Sequence, residues 1–181
     1  ALFYEYEAWL TVSYDMSIMS VDPPAISDPD LEVGEQFSIN ITVDHVEALW
    51  SYQFEMSFNP EVLEGVSVSN GPFLGSAIPP PQRPTYILVF PGTGFNNTEG
   101  TLSLFGAAIK LIPPPPSSYF PTGGGVLATV TFEVVGLGVS SIILGNETAL
   151  LDKAGGYIIK QNLYDEYGKL IRECVKQGYF S

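Results

Sequence analysis

The sequence predicts an all-β sandwich, and three observations support this prediction. Apolar and polar residues alternate with a period of two in one segment after another, as in strands with one buried face. Gly, Pro and Asn separate these segments at short intervals, which is typical of antiparallel sandwiches and barrels. Hydrophobic residues make up 45% of the 181 residues and charged residues only 15%, which excludes a disordered chain and suffices for one folded core.

The alternation is clearest in two neighbouring segments, FSINITVD at 37–44 and WSYQFEMSF at 50–58, where every second side chain is apolar. Further β-rich segments follow in chain order: VLEGVSVS, TYILVF, TLSLFGAAIKL, VLATVTFEVV, VSSIILG and GYIIK. Near the C-terminus, NLYDEYGKLIRECVKQ fits either a helix or a turn followed by the strand KLIRECV. We favour the strand.

The first fourteen residues, ALFYEYEAWLTVSY, alternate as well. The side chains on one face are all apolar or aromatic: Leu2, Tyr4, Tyr6, Ala8, Leu10, Val12 and Tyr14. As a strand this segment would span about 45 Å, whereas a typical sandwich strand is about 20 Å long. We therefore predict that residues 1–16 form a donor-strand extension that lies in a groove of a neighbouring copy, and that residues 17–181 form the sandwich domain. Head-to-tail donation would propagate into a filament or tube.

Two other arrangements of the N-terminal segment are open. It could fold back onto its own sheet, as N-terminal strands often do. It could also lie on a membrane surface, although Glu5 and Glu7, without a nearby Lys or Arg, oppose binding to anionic lipid.

The charge is uneven, because residues 1–150 contain sixteen of the twenty acidic residues and two of the seven basic ones. An acidic body is a poor partner for nucleic acid, whereas carboxylates suit hard cations such as calcium. The predicted calcium ligands are Asp28, Asp30, Glu32, Asp44, Glu47 and Asp152. None lies in an EF-hand loop, and the alternative is that the acidity only keeps the protein soluble.

Other features indicate a secreted protein. Three N-x-[ST] sequons predict glycosylation at Asn40, Asn96 and Asn146, with unmodified sequons as the alternative. The chain begins at Ala1, and we expect a mature product whose signal peptide has been removed. No apolar run reaches the length of a membrane span. The single Cys174 excludes an internal disulfide, and the single His45 disfavours zinc and Ser-His-Asp chemistry.

Two proline tracts, IPPPQRP at 78–84 and IPPPPSS at 112–118, predict stiff, extended polyproline loops. They could instead serve as ligands for aromatic grooves.

Residues 17–159 also resemble a cohesin-type module. The resemblance rests on VGEQF at 33–37, YQFEMSFNPEVLEGVSV at 52–68 and NGPFLG at 70–75, followed by GTLSLFGAA, GGVLATVTFEVVG and LLDKAGGYI in the second half. It implies a jelly-roll sandwich of about nine antiparallel strands and, for cohesins proper, dockerin binding. The N-terminal extension, the tyrosine-rich basic C-terminal end and the acidity are similar to cannula (tubule) subunits of hyperthermophilic archaea. That resemblance implies extracellular tubes linked by donor strands and calcium.

We therefore predict an extracellular structural protein that self-assembles into a filament or tube by N-terminal donor-strand exchange between subunits, supported by calcium. One alternative is a cohesin-like scaffold module that recognises a dockerin. Another is a carbohydrate-binding module with Tyr4, Tyr6, Trp9 and Tyr14 as its platform. An enzyme is disfavoured because no pair of carboxylates is singled out for glycosidase chemistry.

Overall fold

Two β-sheets face one another in the computed structural model, which describes residues 17–27, 31–154, 157–159, 163–164, 170–172 and 175–181. The strands, in chain order, are β1 Ile18–Asp22, β2 Ala25–Ile26, β3 Gln36–Val46, β4 Leu49–Ser57, β5 Leu63–Asn70, β6 Ile87–Phe90, β7 Phe95–Asn96, β8 Thr101–Ile109, β9 Gly123–Val134, β10 Ser140–Leu144, β11 Ala149–Asp152, β12 Tyr157–Ile159, β13 Leu163–Tyr164, β14 Leu170–Arg172, β15 Val175–Lys176 and β16 Gly178–Phe180. Nine of these sixteen strands are four residues or longer. The predicted jelly-roll sandwich is confirmed.

The first sheet has the order β15-β1-β3-β9-β5. Its centre is the long antiparallel pair of β3 and β9, which runs from Gln36 opposite Glu133 to Val46 opposite Gly123. In the second sheet, β8 lies along one edge of β4, while β10 and β11 share the other edge. Beyond β8 lie β6 and β7, which pair with β8 alone among the described strands.

The alternation predicted for 37–44 and 50–58 is present in the structure. In β3 and β4 the predicted inward residues are buried, apart from the half-buried Phe37 and Trp50 at the starts of the two segments. The centre of the core is aromatic, since the ring of Phe132 lies 5.1 Å from that of Phe58 and 6.1 Å from that of Phe95. Both sheets therefore contribute side chains to one shared core.

The C-terminal strands pair with the N-terminal strands, and both pairings are parallel. Met19 of β1 lies opposite Val175 of β15, and Ile26 of β2 lies opposite Phe180 of β16. The segment 163–172, for which the sequence allowed a strand or a helix, contains the antiparallel pair β13–β14.

Both proline tracts differ in part from the prediction. In the tract at 112–118, Ser117 and Ser118 belong to the 3-10 turn Ser117–Tyr119. Residues 78–84 were expected to be extended, but Pro80–Gln82 form a 3-10 turn and Arg83–Tyr86 form one helical turn, α1. The fixed φ of proline suits the first turn of a helix as well as polyproline, so φ alone does not decide between them. This helical turn is the only α-helix in the described part of the chain, and it is far too short to cross a membrane.

Candidate functional site

The outer faces of the two sheets differ in chemistry. On the first sheet, short polar side chains bond to one another across the strands: Ser20 with Thr42 at 3.1 Å, Ser38 with Thr131 at 2.9 Å, Thr129 with Asn40 at 3.0 Å, and Gln36 with Glu133 at 3.1 Å. The outer face of the first sheet is therefore polar, and its side chains hydrogen-bond to one another across the strands.

The second sheet instead carries an apolar groove of about 550 Å³ on its outer face. We call this surface the sheet groove, and it is lined by Trp50, Ser51, Tyr52, Gln53, Phe90, Gly92, Leu104, Gly106, Ala108 and Leu151. None of these residues is charged. Phe90 and Leu104 are 49% and 42% exposed, as is the neighbouring Leu88 at 42%. Contiguous exposed apolar surface of this kind marks interaction sites.

The alternation of β8 forms the floor of the groove. Phe105, Ala107 and Ile109 are buried in the core, so Gly106 and Ala108 lie on the opposite face. Gly106 lies between Gln53 of β4 and Phe90 of β6 in the ladder. The floor is therefore low because its residues are small, while larger side chains on the neighbouring strands form the walls.

Hydrogen bonds fix both the rim and the underside of the groove. The indole of Trp50 donates to the carbonyl oxygen of Ile109 at 2.8 Å. The Tyr52 hydroxyl lies 2.6 Å from the carbonyl oxygen of Leu127 and 2.7 Å from Oδ1 of Asn70. Burial raises the pKa of this phenol above its usual range. The groove is thus held on a rigid sheet that is bonded to the sheet behind it.

Within the floor, the position of Gly106 tolerates little change. A Cβ added at Gly106 would lie 2.4 Å from the carbonyl oxygen of Tyr52, so that any other residue would displace backbone. The lining contains no pair of acidic or basic groups, so the groove is suited to burying apolar partner surface and not to proton transfer.

The structure brings only some of the predicted calcium ligands together. Glu47 and Asp152 line a cleft of about 410 Å³ with His45, whose Nδ1 lies 3.4 Å from Oδ2 of Asp44. Glu32 precedes β3, at the opposite end from Asp44. Among the described residues, no three Asp, Glu, His or Cys side chains form a group that could hold a metal ion. Asp28 and Asp30 lie outside the described residues.

The structure describes the three predicted glycosylation sites but not the proposed donor-strand residues. Asn40 is in β3, Asn96 in β7, and Asn146 in the turn between β10 and β11. The proposed donor-strand residues, Leu2 to Tyr14, lie outside the described residues, as does the proposed boundary at residue 16.

The sequence analysis did not identify the sheet groove. Its signal was present in two segments, ILVF at 87–90 and LFGAAI at 104–109, which are apolar at nearly every position. Such a run predicts a strand that is covered on both faces. The structure instead leaves Leu88, Val89 and Phe90 of β6 and Leu104 of β8 exposed.

Comparisons with solved structures agree with the fold. The sixth cohesin of scaffoldin B from Acetivibrio cellulolyticus, solved in complex with a Cel5 dockerin, superposes with a TM-score of 0.61 at 10% identity over 92% of this chain and 98% of that one. A non-cellulosomal cohesin from the hyperthermophilic archaeon Archaeoglobus fulgidus superposes with a TM-score of 0.56 at 12% identity, over 91% of this chain and 89% of that one. The cohesin of a type II cohesin–X-dockerin complex from Acetivibrio cellulolyticus has a TM-score of 0.60 at 16% identity, over 78% of this chain and 90% of that one.

Comparison with curated proteins gives no match. The sequence profile of the cohesin domain, in contrast, matches residues 24–165, which is most of the chain. Together with the jelly-roll topology, this match shows that the chain belongs to the cohesin domain family, whose members are non-catalytic protein-interaction modules.

Proposed function

We propose that this chain is a recognition module that binds a dockerin-type domain through the sheet groove. The observation that carries the proposal is a charge-free apolar groove on a protein whose net charge is −13. The polar face of the first sheet offers no comparable surface. Support also comes from neighbouring structures, two of which contain dockerins bound to cohesins of the same fold.

The dimensions of the groove suit a helix. The distance from β4 across β8 to β6 is two strand spacings, or about 10 Å. An α-helix with its side chains is about 10–12 Å wide. A helix with an apolar face could therefore lie over Gly106 and Ala108, between the side chains of Phe90 on β6 and Gln53 on β4. Apolar contact with the exposed side chains of Phe90 and Leu104 would supply most of the binding free energy.

Calorimetric titration tests the proposal. The full chain would be titrated with recombinant dockerins, including those of the neighbouring complexes and those encoded by the source organism of this chain. We expect at least one dockerin to bind, and Phe90→Ala or Leu104→Asp to weaken its binding by about 1–3 kcal/mol. Both side chains are exposed, so the variants should remain folded.

The matched control is Ser38→Ala, which lies on the polar face of the other sheet and should leave the affinity unchanged. Binding that is insensitive to Phe90→Ala and Leu104→Asp would place the interface elsewhere. The absence of binding to every dockerin of the source organism would contradict the proposed function.

Self-assembly is a second proposal, and the two-faced pattern of residues 2–14 favours it. The far edge of β6 has no strand paired to it among the described residues, and this edge borders the sheet groove. A donor strand from another copy could add to β6 and cover the groove with alternate side chains. A tube-forming subunit similar to the cannula proteins, secreted and supported by calcium, is the specific form of this proposal.

Electron microscopy with calcium, and then with chelator, tests self-assembly. We expect filaments or tubes from the full chain, and folded monomers after deletion of residues 1–14. If the full chain remains monomeric with calcium, self-assembly is wrong, while dockerin binding by the truncated chain would still support the first proposal. Glycan pull-down without polymerisation would instead favour the carbohydrate-binding alternative.

A further inference from the structure

The three sequons occupy three different structural settings. Transfer of a glycan to a folded protein requires that an enzyme reach both the asparagine amide and the hydroxyl two residues later. Exposure of each sequon as a whole therefore decides which site the folded chain presents.

Asn40 is held within the first sheet. It lies in the middle of β3, opposite Asp22 of β1 and Thr129 of β9. Its Oδ1 accepts a hydrogen bond from the Thr129 hydroxyl at 3.0 Å, and its side chain is only partly exposed. Its backbone is therefore committed to strands on both sides.

Asn146 is exposed, but its sequon is only half accessible. Thr148 is 1% exposed, and its hydroxyl is buried without a hydrogen-bond partner among the described residues. The backbone N–H of Thr148 donates to the carbonyl oxygen of Gly145, which closes the turn. An enzyme could reach this hydroxyl only after the turn opens.

Asn96 and Thr98 are both exposed, while Asn97 between them is anchored. The Asn97 side chain accepts from the N–H of Gly65 at 2.9 Å and donates to Oε1 of Glu64 at 3.0 Å. Oδ1 of Asn96 accepts from the N–H groups of Thr98 and Glu99, both at 3.2 Å. Its amide nitrogen has no hydrogen-bond partner in the described part of the chain.

From this arrangement we infer that Asn96 is the N-glycosylation acceptor of the folded protein, and that Asn40 and Asn146 are not acceptors once the chain has folded. The donor is an oligosaccharide linked to a lipid phosphate or pyrophosphate. Nδ2 of Asn96 forms a bond to C1 of the sugar, and the bond between C1 and the phosphate oxygen breaks. The lipid phosphate leaves with the bonding electron pair, and Nδ2 gives up one proton.

The test uses the full chain, made unmodified and folded, with a lipid-linked oligosaccharide and a single-subunit oligosaccharyltransferase that accepts both N-x-S and N-x-T sequons. Intact mass and peptide mapping should show one glycan per chain, located at Asn96. Synthetic peptides that contain each sequon control for sequence preference, and all three should be modified. Asn96→Gln and Thr98→Ala should abolish modification of the folded chain, whereas Thr98→Ser, which keeps the sequon, should retain it.

Thr98→Ala also covers the case in which Asn96→Gln disturbs the turn, because it leaves the Asn96 side chain in place. Modification of folded protein at Asn40 or Asn146 to the same extent as at Asn96 would overturn the inference. So would an unmodified Asn96 in a folded chain whose Asn96 peptide is modified.

Discussion

The buried hydroxyl of Tyr52 gives the sharpest test of how the two sheets are joined. Tyr52→Phe keeps the aromatic ring, whose centroid lies 6.5 Å from that of Phe54, and removes only the hydroxyl. The carbonyl oxygen of Leu127 then loses the hydroxyl 2.6 Å away but keeps the backbone N–H of Gly71 at 2.7 Å. We expect the free energy of unfolding at pH 7 to fall by about 0.5–1.5 kcal/mol, the net contribution of one hydrogen bond. Urea denaturation followed by tryptophan fluorescence measures this loss.

The effect of Tyr52→Phe should also depend on pH. Burial raises the pKa of Tyr52 in the folded state, so the folded protein holds this proton more tightly than the unfolded chain does. The stabilisation that the protonated Tyr52 hydroxyl gives the folded state is fully present below about pH 10, which is the pKa of tyrosine in the unfolded chain. It is lost as the pH rises above that value. At pH 11 the advantage of the wild-type protein over the variant should have shrunk by roughly 1.4 kcal/mol.

Tyr179→Phe is the matched control, because Tyr179 is exposed on β16. It should change stability by less than about 0.5 kcal/mol at either pH. An equal stability of wild type and Tyr52→Phe at pH 7 would refute the reasoning. A difference between them that stays constant from pH 7 to pH 11 would refute the titration argument.

Three further predictions concern packing and the groove. Phe132→Ala should lower the free energy of unfolding by about 3–5 kcal/mol, because the ring of Phe132 is fully buried among Phe37, Phe58 and Phe95. Chemical denaturation measures this loss, which should be far smaller for Phe90→Ala because the side chain of Phe90 is exposed. Gly136→Ala should cost about 1–3 kcal/mol, seen as a lower Tm, because its Cβ would lie 2.1 Å from the carbonyl oxygen of Glu61. In Gly145→Ala the nearest atoms belong to the movable Glu55 side chain, and the Tm should change less; equal shifts for the two glycines would contradict this argument. Ala108→Leu should fill the floor of the sheet groove and block dockerin binding while the circular dichroism spectrum stays unchanged; undiminished binding would show that the partner does not reach the floor.

The sandwich was predictable because its central strands alternate. In β3 from Ile39 to Val43 and in β4 from Tyr52 to Ser57, buried side chains alternate with partly exposed ones, and the sequence shows the same order. The prolines were less informative, because residues 80–86 adopt helical turns at φ values that extended chain also allows. Pairing of β1 with β15 joins residues more than 150 positions apart, and no local pattern reports it.

The sheet groove could not be predicted, because two of the strands that form it do not alternate between apolar and polar residues. Alternation is lost in β6 and β8, where Leu88 and Val89 are both apolar and Gly106 and Ala107 are both small. Which face of such strands is covered depends on the packing of the second sheet against the first. The calcium ligands and the donor-strand segment remain predictions, and the sequons could be ranked only when the exposure of Thr98 and Thr148 was known.

The parallel pairing of the two ends of the domain has a mechanical consequence. When the chain is pulled from Ser17 and Ser181, β1 and β15 are drawn in opposite directions along their common axis. The same is true of β2 and β16. Tension therefore loads the hydrogen bonds of each pair simultaneously in shear and cannot peel them apart one by one, so the domain should resist rupture under load more strongly than its equilibrium stability alone would suggest.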